Sequence, residues 1–260
     1  MEFNEIRTLI FEDLNRTTAL IRQHLHSEVA LIEEIGNYII NGGGKRARAV
    51  LALLSGKICK LQPEQASLFA AIIEMIHAAT LLHDDVIDAS TLRRGNPTAN
   101  EVYGNSASVL SGDFLYSRTF EMMVILNNMQ VLQALARASN RLAEGEVLQL
   151  QNCHKSDLSE QAYLEVIERK TATLFAVAAE IPAILAGAPP PIQAALYQFG
   201  RLTGIAFQLL DDIIDYTSNE TTMGKNQGDD LMEGKMTLPL IYAKSFGTER
   251  DRLLIDNAIL

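Results

Sequence analysis

The chain writes one acidic pattern twice, as Leu81-Leu82-His83-Asp84-Asp85-Val86-Ile87-Asp88 and as Gln208-Leu209-Leu210-Asp211-Asp212-Ile213-Ile214-Asp215. Each copy sets aspartates at i, i+1 and i+4 within an apolar stretch of helical spacing. On a helix the first and last carboxylates share a face, about one turn apart, where their repulsion opposes folding unless a cation lies between them. The apolar flanks (Leu81, Leu82, Val86 and Ile87; Leu209, Leu210, Ile213 and Ile214) predict largely buried helices. Solvated acidic surface turns are therefore a poor account of both copies. Two such clusters facing each other would hold hard divalent cations. Mg²⁺ is the natural one, because it keeps some waters and shares oxygens with a phosphate-bearing substrate.

The background against which these motifs stand is acidic, with a net charge of −10 over 260 residues. That balance argues against a nucleic-acid partner and makes each local basic cluster more informative. Cys59 and Cys153 stand far apart without metal-type spacing, and read as thiols of a reducing compartment rather than a disulfide. The start, Met1-Glu2-Phe3-Asn4-Glu5, has neither the basic residues nor the apolar run of a signal peptide. No apolar segment reads as long enough to span a bilayer. The expectation is a soluble, cytoplasmic protein with no membrane span.

Helical periodicity dominates and strand signals are nearly absent. The pattern predicts helices over residues 5–25, 29–40, about 45–60 and 64–90, then short helices leading into a long one near 113–127, and further helices over about 129–151, 159–187 and 191–216, with another starting near Thr237. Breaks fall at Asn41-Gly42-Gly43-Gly44, Leu61-Gln62-Pro63, Arg94-Gly95-Asn96-Pro97 and Pro189-Pro190-Pro191. Residues 217–235, polar and glycine-bearing, are the best candidate for a mobile lid. No linker or composition shift divides the chain, so residues 1–260 read as a single all-α domain. The acidic copies stand 127 residues apart, too far for a solenoid repeat and consistent with two central helices bearing opposed metal sites. The sequence runs out inside a helical pattern, Arg252 to Leu260, without a capping residue, which suggests helices missing from the C-terminal end.

Basic residues gather where anions are favoured. Gly42-Gly43-Gly44-Lys45-Arg46-Ala47-Arg48 puts three cations at a helix start, after glycines that let backbone approach a ligand. Cations there are costly unless a phosphate arrives. Arg93-Arg94-Gly95 follows the first acidic motif by five residues and offers guanidinium forks that match phosphate oxygens bidentately. Lys170-Thr171, Lys225 and Lys235 add further charge. Taken together these describe a pocket for two diphosphates, one bridged by metals and one held by cations alone. His77 lies about two turns before Asp84, on roughly the same side. Alone it would read as a satisfied core histidine. Glu74-Met75-Ile76-His77 has the Glu-x-x-His spacing of di-iron bundles, which need it twice; here it occurs once. His83-Asp84 matches the dipeptide of HD-type metal phosphohydrolases, whose other ligand histidines have few candidates here. No nucleophile elbow or Walker loop is present.

These residues resemble the trans-polyprenyl diphosphate synthase family over essentially the whole chain. The resemblance rests on Gly43-Gly44-Lys45-Arg46-x-Arg48, the first acidic motif with Arg93-Arg94-Gly95, Gly112-Asp113-Phe114-Leu115 and Lys170-Thr171. It continues through Phe207-Gln208 with the second acidic motif, Gly224-Lys225-x-x-Gly228-Asp229-Asp230, and Glu233-Gly234-Lys235-x-Thr237-Leu238-Pro239. Ala143-Glu144-Gly145-Glu146-Val147-Leu148-Gln149 and the N-terminal half are most similar to bacterial octaprenyl diphosphate synthases. The resemblance implies an all-α isoprenoid synthase bundle around a central cavity, usually a homodimer. The implied reaction joins isopentenyl diphosphate head to tail onto an allylic diphosphate, from farnesyl to octaprenyl, for a quinone side chain.

Carried over residue by residue, Asp84 and Asp88 with Asp85 in support, and Asp211 with Asp212 and Asp215, would hold about three Mg²⁺ on the allylic diphosphate. Arg93, Lys170 and Lys235 would complete that shell, joined by Thr171, Gln208 and Lys225. Lys45, Arg48, His77 and Arg94 would grip isopentenyl diphosphate. The product would grow along the apolar faces of adjacent helices. Thr80, Ala79 and Ala78 lie at the first turn below Asp84, where the shortest-chain relatives carry aromatic rings; here that level is open, against a farnesyl-length product. Ile76 and Met75 follow about 12 Å down, and Met122, Met123 and Phe120 would close the tunnel deeper. Two positions depart from the family pattern: Ala49 and Met236 stand where proline is usual. A terpene cyclase on the same fold, a non-catalytic subunit and a metal phosphohydrolase are the other readings. The first should alter, and the second lose, an acidic motif.

Overall fold

The computed structural model describes residues 3–217 and 228–260, and is helical almost throughout. Its helices are α1 (Phe3–Thr8), α2 (Phe11–Leu25), α3 (Ala30–Asn41), α4 (Ala47–Ile58), α5 (Pro63–Ile87), α6 (Ala99–Tyr103), α7 (Asn105–Ile125) and α8 (Met129–Asn152). Beyond these come α9 (Glu160–Ile167), α10 (Thr173–Leu185), α11 (Pro190–Thr217), α12 (Asp229–Met232), α13 (Leu238–Phe246) and α14 (Glu249–Ile259). Two short strands, β1 (Leu92–Arg93) and β2 (Asn96–Pro97), pair antiparallel after α5. Two compact units result, residues 1–135 with 177–200 and residues 136–176 with 201–260.

In the first unit α5 is the axis, packed by α2, α4 and α7. It starts on Pro63, whose fixed φ suits a first helical turn and whose missing N–H costs nothing there. Phe69, Ile72, Ile73, Met75 and Ile76 are all but fully buried along its middle. Against expectation, this one helix has the length and apolarity of a membrane span, with an 18-residue window of mean hydropathy 1.5. Of that window, 72% is buried inside the chain's own fold, so the apolar side chains are spent on core packing.

Three helical expectations shift. The first helix breaks before Phe11, at Ile10 with φ −124°. The helix expected from 113 starts at Asn105, directly after Gly104 at φ +85°. Within it the Ser108 hydroxyl is satisfied by donating to the Leu82 carbonyl of α5 at 3.2 Å. The stretch 159–187 is interrupted by a π-helical turn, Glu168–Ala172, between α9 and α10. Its widened loop is closed by Thr173 Oγ1, which donates to the Glu168 carbonyl at 3.0 Å, and such π turns gather at functional sites.

In the second unit α9 starts under a Ser159 side-chain cap. Tyr163 and Ile167 of α9 pack with Met236, Ile241 and Ile259 in a small apolar cluster. Of the stretch read as a lid, residues 218–227 lie outside the described residues, and with them Lys225; residues 229–232 form α12.

Candidate active site

Asp84 and Asp85 stand on the last turn of α5 and Asp88 caps it. Successive residues on a helix turn by about 100°, so Asp84 and Asp88 point within about 40° of each other and Asp85 a quarter-turn away. That difference is used. Asp85 is wholly buried and receives Arg93 as a fork, with Nε 2.9 Å from Oδ1 and 3.1 Å from Oδ2, and Nη2 2.6 Å from Oδ1. The turn at Arg94 (φ +54°) and Gly95 (φ +79°) between β1 and β2 folds the Arg93 strand back beside Asp85. Asp84 and Asp88 are half-buried.

Next to this motif, in the same unit, lies the basic cluster. Gly44 has φ +125°, and a Cβ placed there would come within 2.5 Å of Arg94 Nη1, so the guanidinium lies flat on bare backbone. Arg48 Nη1 is 3.3 Å from His77 Nε2. Burial, with the neighbouring charges of Arg48, Arg93 and Arg94, holds the His77 pKa well below its ordinary value, so the imidazole is neutral near pH 7. Lys45 is exposed. Arg46 departs from the group: its Nη1 donates to Thr18 Oγ1 at 2.5 Å, tying α4 to α2. His83, from the phosphohydrolase-like dipeptide, packs its ring on Gly112 with Nε2 3.1 Å from the Val109 carbonyl oxygen and 3.3 Å from Asp113 Oδ1.

The second motif sits on the C-terminal part of α11, in the second unit. Here too the middle aspartate is taken by the protein. Asp212 is 3% exposed; it accepts from the Tyr163 hydroxyl at 2.5 Å and from Gln208 Nε2 at 2.7 Å. Burial raises the Asp212 pKa despite both donors. Burial and the Asp212 charge push the Tyr163 phenol far up, so it stays a donor. Gln208 Oε1 in turn accepts from Thr171 Oγ1 at 2.9 Å, which links the motif to the π turn. A Cβ on Gly145 of α8 would come within 2.6 Å of the Lys170 amide nitrogen, and one on Gly204 of α11 within 2.6 Å of Ala172 Cα, so two glycines let helices close on this turn. Lys170 Nζ pairs with Glu146 Oε2 at 2.6 Å, and Lys235 pairs with Glu233. Asp215 is buried and Asp211 exposed. The flanks are not buried as expected: Leu210 is 56% and Ile213 48% exposed, because α11 turns Gln208, Asp212 and Asp215 inward.

Nothing in the sequence marked Tyr163. A lone tyrosine on an amphipathic helix has no distinguishing pattern, and only the need of a buried phenol for a partner singles it out. Of the proposed tunnel residues, Ile76, Ala79 and Met123 are buried in the first unit and Thr80 is half-buried, with Oγ1 donating to the His77 carbonyl at 2.8 Å. Phe120 does not join them. It is 43% exposed and meets Tyr116 edge-on, on the outer side of α7.

Among the described residues, no three His, Cys, Asp or Glu side chains gather into a self-sufficient metal cluster. Each motif offers only carboxylate oxygens, the donors of a hard cation that retains waters and takes further oxygens from a phosphate. The donor set fits Mg²⁺ bound jointly with a diphosphate.

The sequence model of the polyprenyl synthetase family matches residues 29–259. The octaprenyl diphosphate synthase of Escherichia coli is 47% identical, over 100% of this chain and 80% of its own length. The all-trans-nonaprenyl-diphosphate synthase (geranyl-diphosphate specific) of Rhodobacter capsulatus is 46% identical, over 95% of this chain and 77% of its own. The crystal structure of a Caulobacter crescentus polyprenyl synthase complexed with calcium and isoprenyl diphosphate superposes with a TM-score of 0.91 at 41% identity, covering 99% of this chain and 84% of that one. With the motifs in place and the fold matched along its length, the chain belongs to the polyprenyl synthetase family of all-α prenyltransferases.

Proposed function

We propose that the chain, as one catalytic domain over residues 1–260, extends farnesyl diphosphate with isopentenyl diphosphate to octaprenyl diphosphate for a quinone side chain. Long-chain trans-polyprenyl diphosphate synthesis is the activity its relatives support; the octaprenyl length, the primer and the quinone are the proposed part. The observation that carries the reading is the shared division of labour in the acidic motifs. In both, the middle aspartate is bound within the protein, Asp85 by Arg93 and Asp212 by Tyr163 and Gln208, while the first aspartate, Asp84 or Asp211, points about 100° away around the helix.

In this reading Asp84, Asp88, Asp211 and Asp215 hold about three Mg²⁺ against the allylic diphosphate. When bound, the ions neutralise the charge that builds on the leaving diphosphate. Arg93, Lys170, Thr171, Gln208, Lys225 and Lys235 bind the same group and orient it. Lys45, Arg48, His77 and Arg94 hold isopentenyl diphosphate with its double bond at the reacting carbon. The allylic C–O bond breaks, its electron pair leaves with diphosphate, and the double bond attacks the resulting cation. A proton is then lost to the released diphosphate, so the protein needs no base of its own. Ile76, Ala79, Thr80 and Met123 keep water from the growing chain. The neutral His77 serves as a hydrogen-bonding group rather than a charge.

The enzyme works in the cytoplasm as a homodimer on this reading. Leu110, Val124 and Ile125 of α7, 66%, 71% and 59% exposed, supply the apolar surface a partner copy would cover. Farnesyl diphosphate, radiolabelled isopentenyl diphosphate and Mg²⁺ are incubated with the protein and the products resolved by chromatography. An octaprenyl ladder end supports the proposal, a nonaprenyl end corrects its length, and no elongation overturns it.

A further inference from the structure

Glu74 is the buried carboxylate on α5 that the reaction described above does not use. It is 9% exposed, one helical turn before His77. The N-terminus of α4 comes to it. That terminus begins on Arg46 in the left-handed region (φ +49°, ψ +41°) with no side-chain cap of its own. The first N–H groups of a helix need an outside acceptor when they are buried. The Ala49 amide, on a residue with no exposed surface, donates to Glu74 Oε1 at 3.1 Å. The adjacent residue, Arg48, meets His77, the next residue down the same face of α5. Two neighbours on α4 are thus fastened to two residues one turn apart on α5, and the pair fixes both the position and the rotation of the helix start. The Ala49 N–H is a group that proline at this position would not have.

Resting on the proposed binding of isopentenyl diphosphate by Lys45, Arg48, His77 and Arg94, we infer that Glu74 is the positioning residue of that subsite. It acts through the Ala49 amide to set the start of α4, and so the reach of Arg48 toward the diphosphate. It does not touch the substrate. The element that matters is an acceptor oxygen at the Glu74 distance, so an uncharged amide of the same length serves and a shorter carboxylate does not. Arg46, Arg48 and Arg94 are charged groups within electrostatic reach of Glu74, and burial raises its pKa in spite of them and of the Ala49 N–H.

The test separates the two Michaelis constants in steady-state elongation by wild type, Glu74→Gln, Glu74→Asp and Glu74→Ala, with the folded fraction of each checked by thermal melting. Glu74→Asp and Glu74→Ala are expected to raise KM for isopentenyl diphosphate about tenfold or more while KM for farnesyl diphosphate stays within about twofold. Glu74→Gln is expected to hold both constants within about threefold of wild type. Should Glu74→Ala not fold, Glu74→Asp against Glu74→Gln still decides. An unchanged isopentenyl KM in Glu74→Asp, or parallel rises in both constants, overturns the inference. An inactive wild type would instead overturn the reading of the activity on which it rests.

Discussion

The phenol of Tyr163 on α9 is hydrogen-bonded, at 2.5 Å, to Oδ2 of Asp212 on α11. The carboxylate is all but buried, so its orientation is set by this donor together with Gln208 rather than by solvent. Removing the hydroxyl while keeping the ring leaves the apolar packing intact and one carboxylate oxygen without that donor. A hydrogen bond to a charged group contributes about 1.5–3 kcal/mol, so Tyr163→Phe should lower kcat/KM for the allylic diphosphate by about 10–150-fold. The half-saturating Mg²⁺ concentration should rise with it, and KM for isopentenyl diphosphate should not move. Unaltered Mg²⁺ dependence in the variant would show that Asp211 and Asp215 are placed independently of Tyr163.

Arg93 and Asp85 give a second prediction, in stability rather than rate. Asp85 has no exposed surface, and three contacts from one guanidinium compensate it. Arg93→Ala strands a buried carboxylate, a change that costs about 3–5 kcal/mol. Arg93→Lys keeps the charge but cannot reproduce the fork, so its loss should be intermediate. The double variant Asp85→Asn/Arg93→Ala should recover part of what Arg93→Ala loses, because the orphaned charge is gone. Urea unfolding of wild type and these three variants measures the differences. Equal stability of the single and double variants would mean that Asp85 is compensated from elsewhere.

His77 makes stability depend on pH. Burial and three arginines lower its folded-state pKa well below 6.5, while in the unfolded chain it titrates near 6.5. As pH falls through that value the unfolded chain takes up a proton that the folded one refuses. The His77 contribution is therefore fully present above about pH 6.5 and is lost on acidification, at up to about 1.4 kcal/mol per pH unit. His24, whose pKa is also lowered by burial, adds in the same direction. His77→Gln should flatten the curve of unfolding free energy against pH between about 6.5 and 5 relative to wild type. A wild-type curve equally flat there would place a proton on His77 in the folded protein.

Much of this was legible in the residues. The twin spacing of Asp84/Asp88 and Asp211/Asp215, the breaks at Gly42 and Pro63, and the apolar run of α5 are local signals, and local signals survive folding. What stayed hidden depends on partners far along the chain. Tyr163 and Asp212 are 49 residues apart, and Ala49 and Glu74 are 25. No period connects them. The π turn was invisible for a related reason. Glu168-Arg169-Lys170-Thr171-Ala172 has ordinary helical composition, and the turn lies where Gly145 and Gly204, distant in sequence, let two helices approach it closely. Helix α7 starts earlier than expected, at Asn105, and its first turns are tied across the unit by the Ser108 hydroxyl on the Leu82 carbonyl of α5.

The donor set also predicts how metal and ligand cooperate. With no self-sufficient cluster among the described residues, Mg²⁺ alone should bind weakly, whereas Mg²⁺ with inorganic pyrophosphate completes its shell from both sides. Only a ligand that binds the folded state well raises the melting temperature. Millimolar Mg²⁺ should therefore leave the melting midpoint nearly unchanged, pyrophosphate alone should raise it modestly, and the two together should raise it by more than the sum. A large shift with Mg²⁺ alone would point to a preformed ion site.

Product length is open to a single substitution. Thr80 lies four residues before Asp84, about 6 Å down the same face of α5. It is half-buried, whereas the neighbouring Ala79 is closed in on all sides. Enlarging Ala79 would overpack the core and cost stability before it reported on the product. Thr80→Phe instead puts a ring at the first turn below the acidic motif with less disturbance, forfeiting only the hydroxyl's bond to the His77 carbonyl. If the prenyl chain descends along this face, the variant should initiate normally and stop several isoprene units short of the wild-type product. Chromatography of the products from farnesyl diphosphate reads this directly. An undiminished product length from an active Thr80→Phe enzyme would mean that the chain leaves the acidic motif along another face, and that Ile76 and Met123 are core residues only.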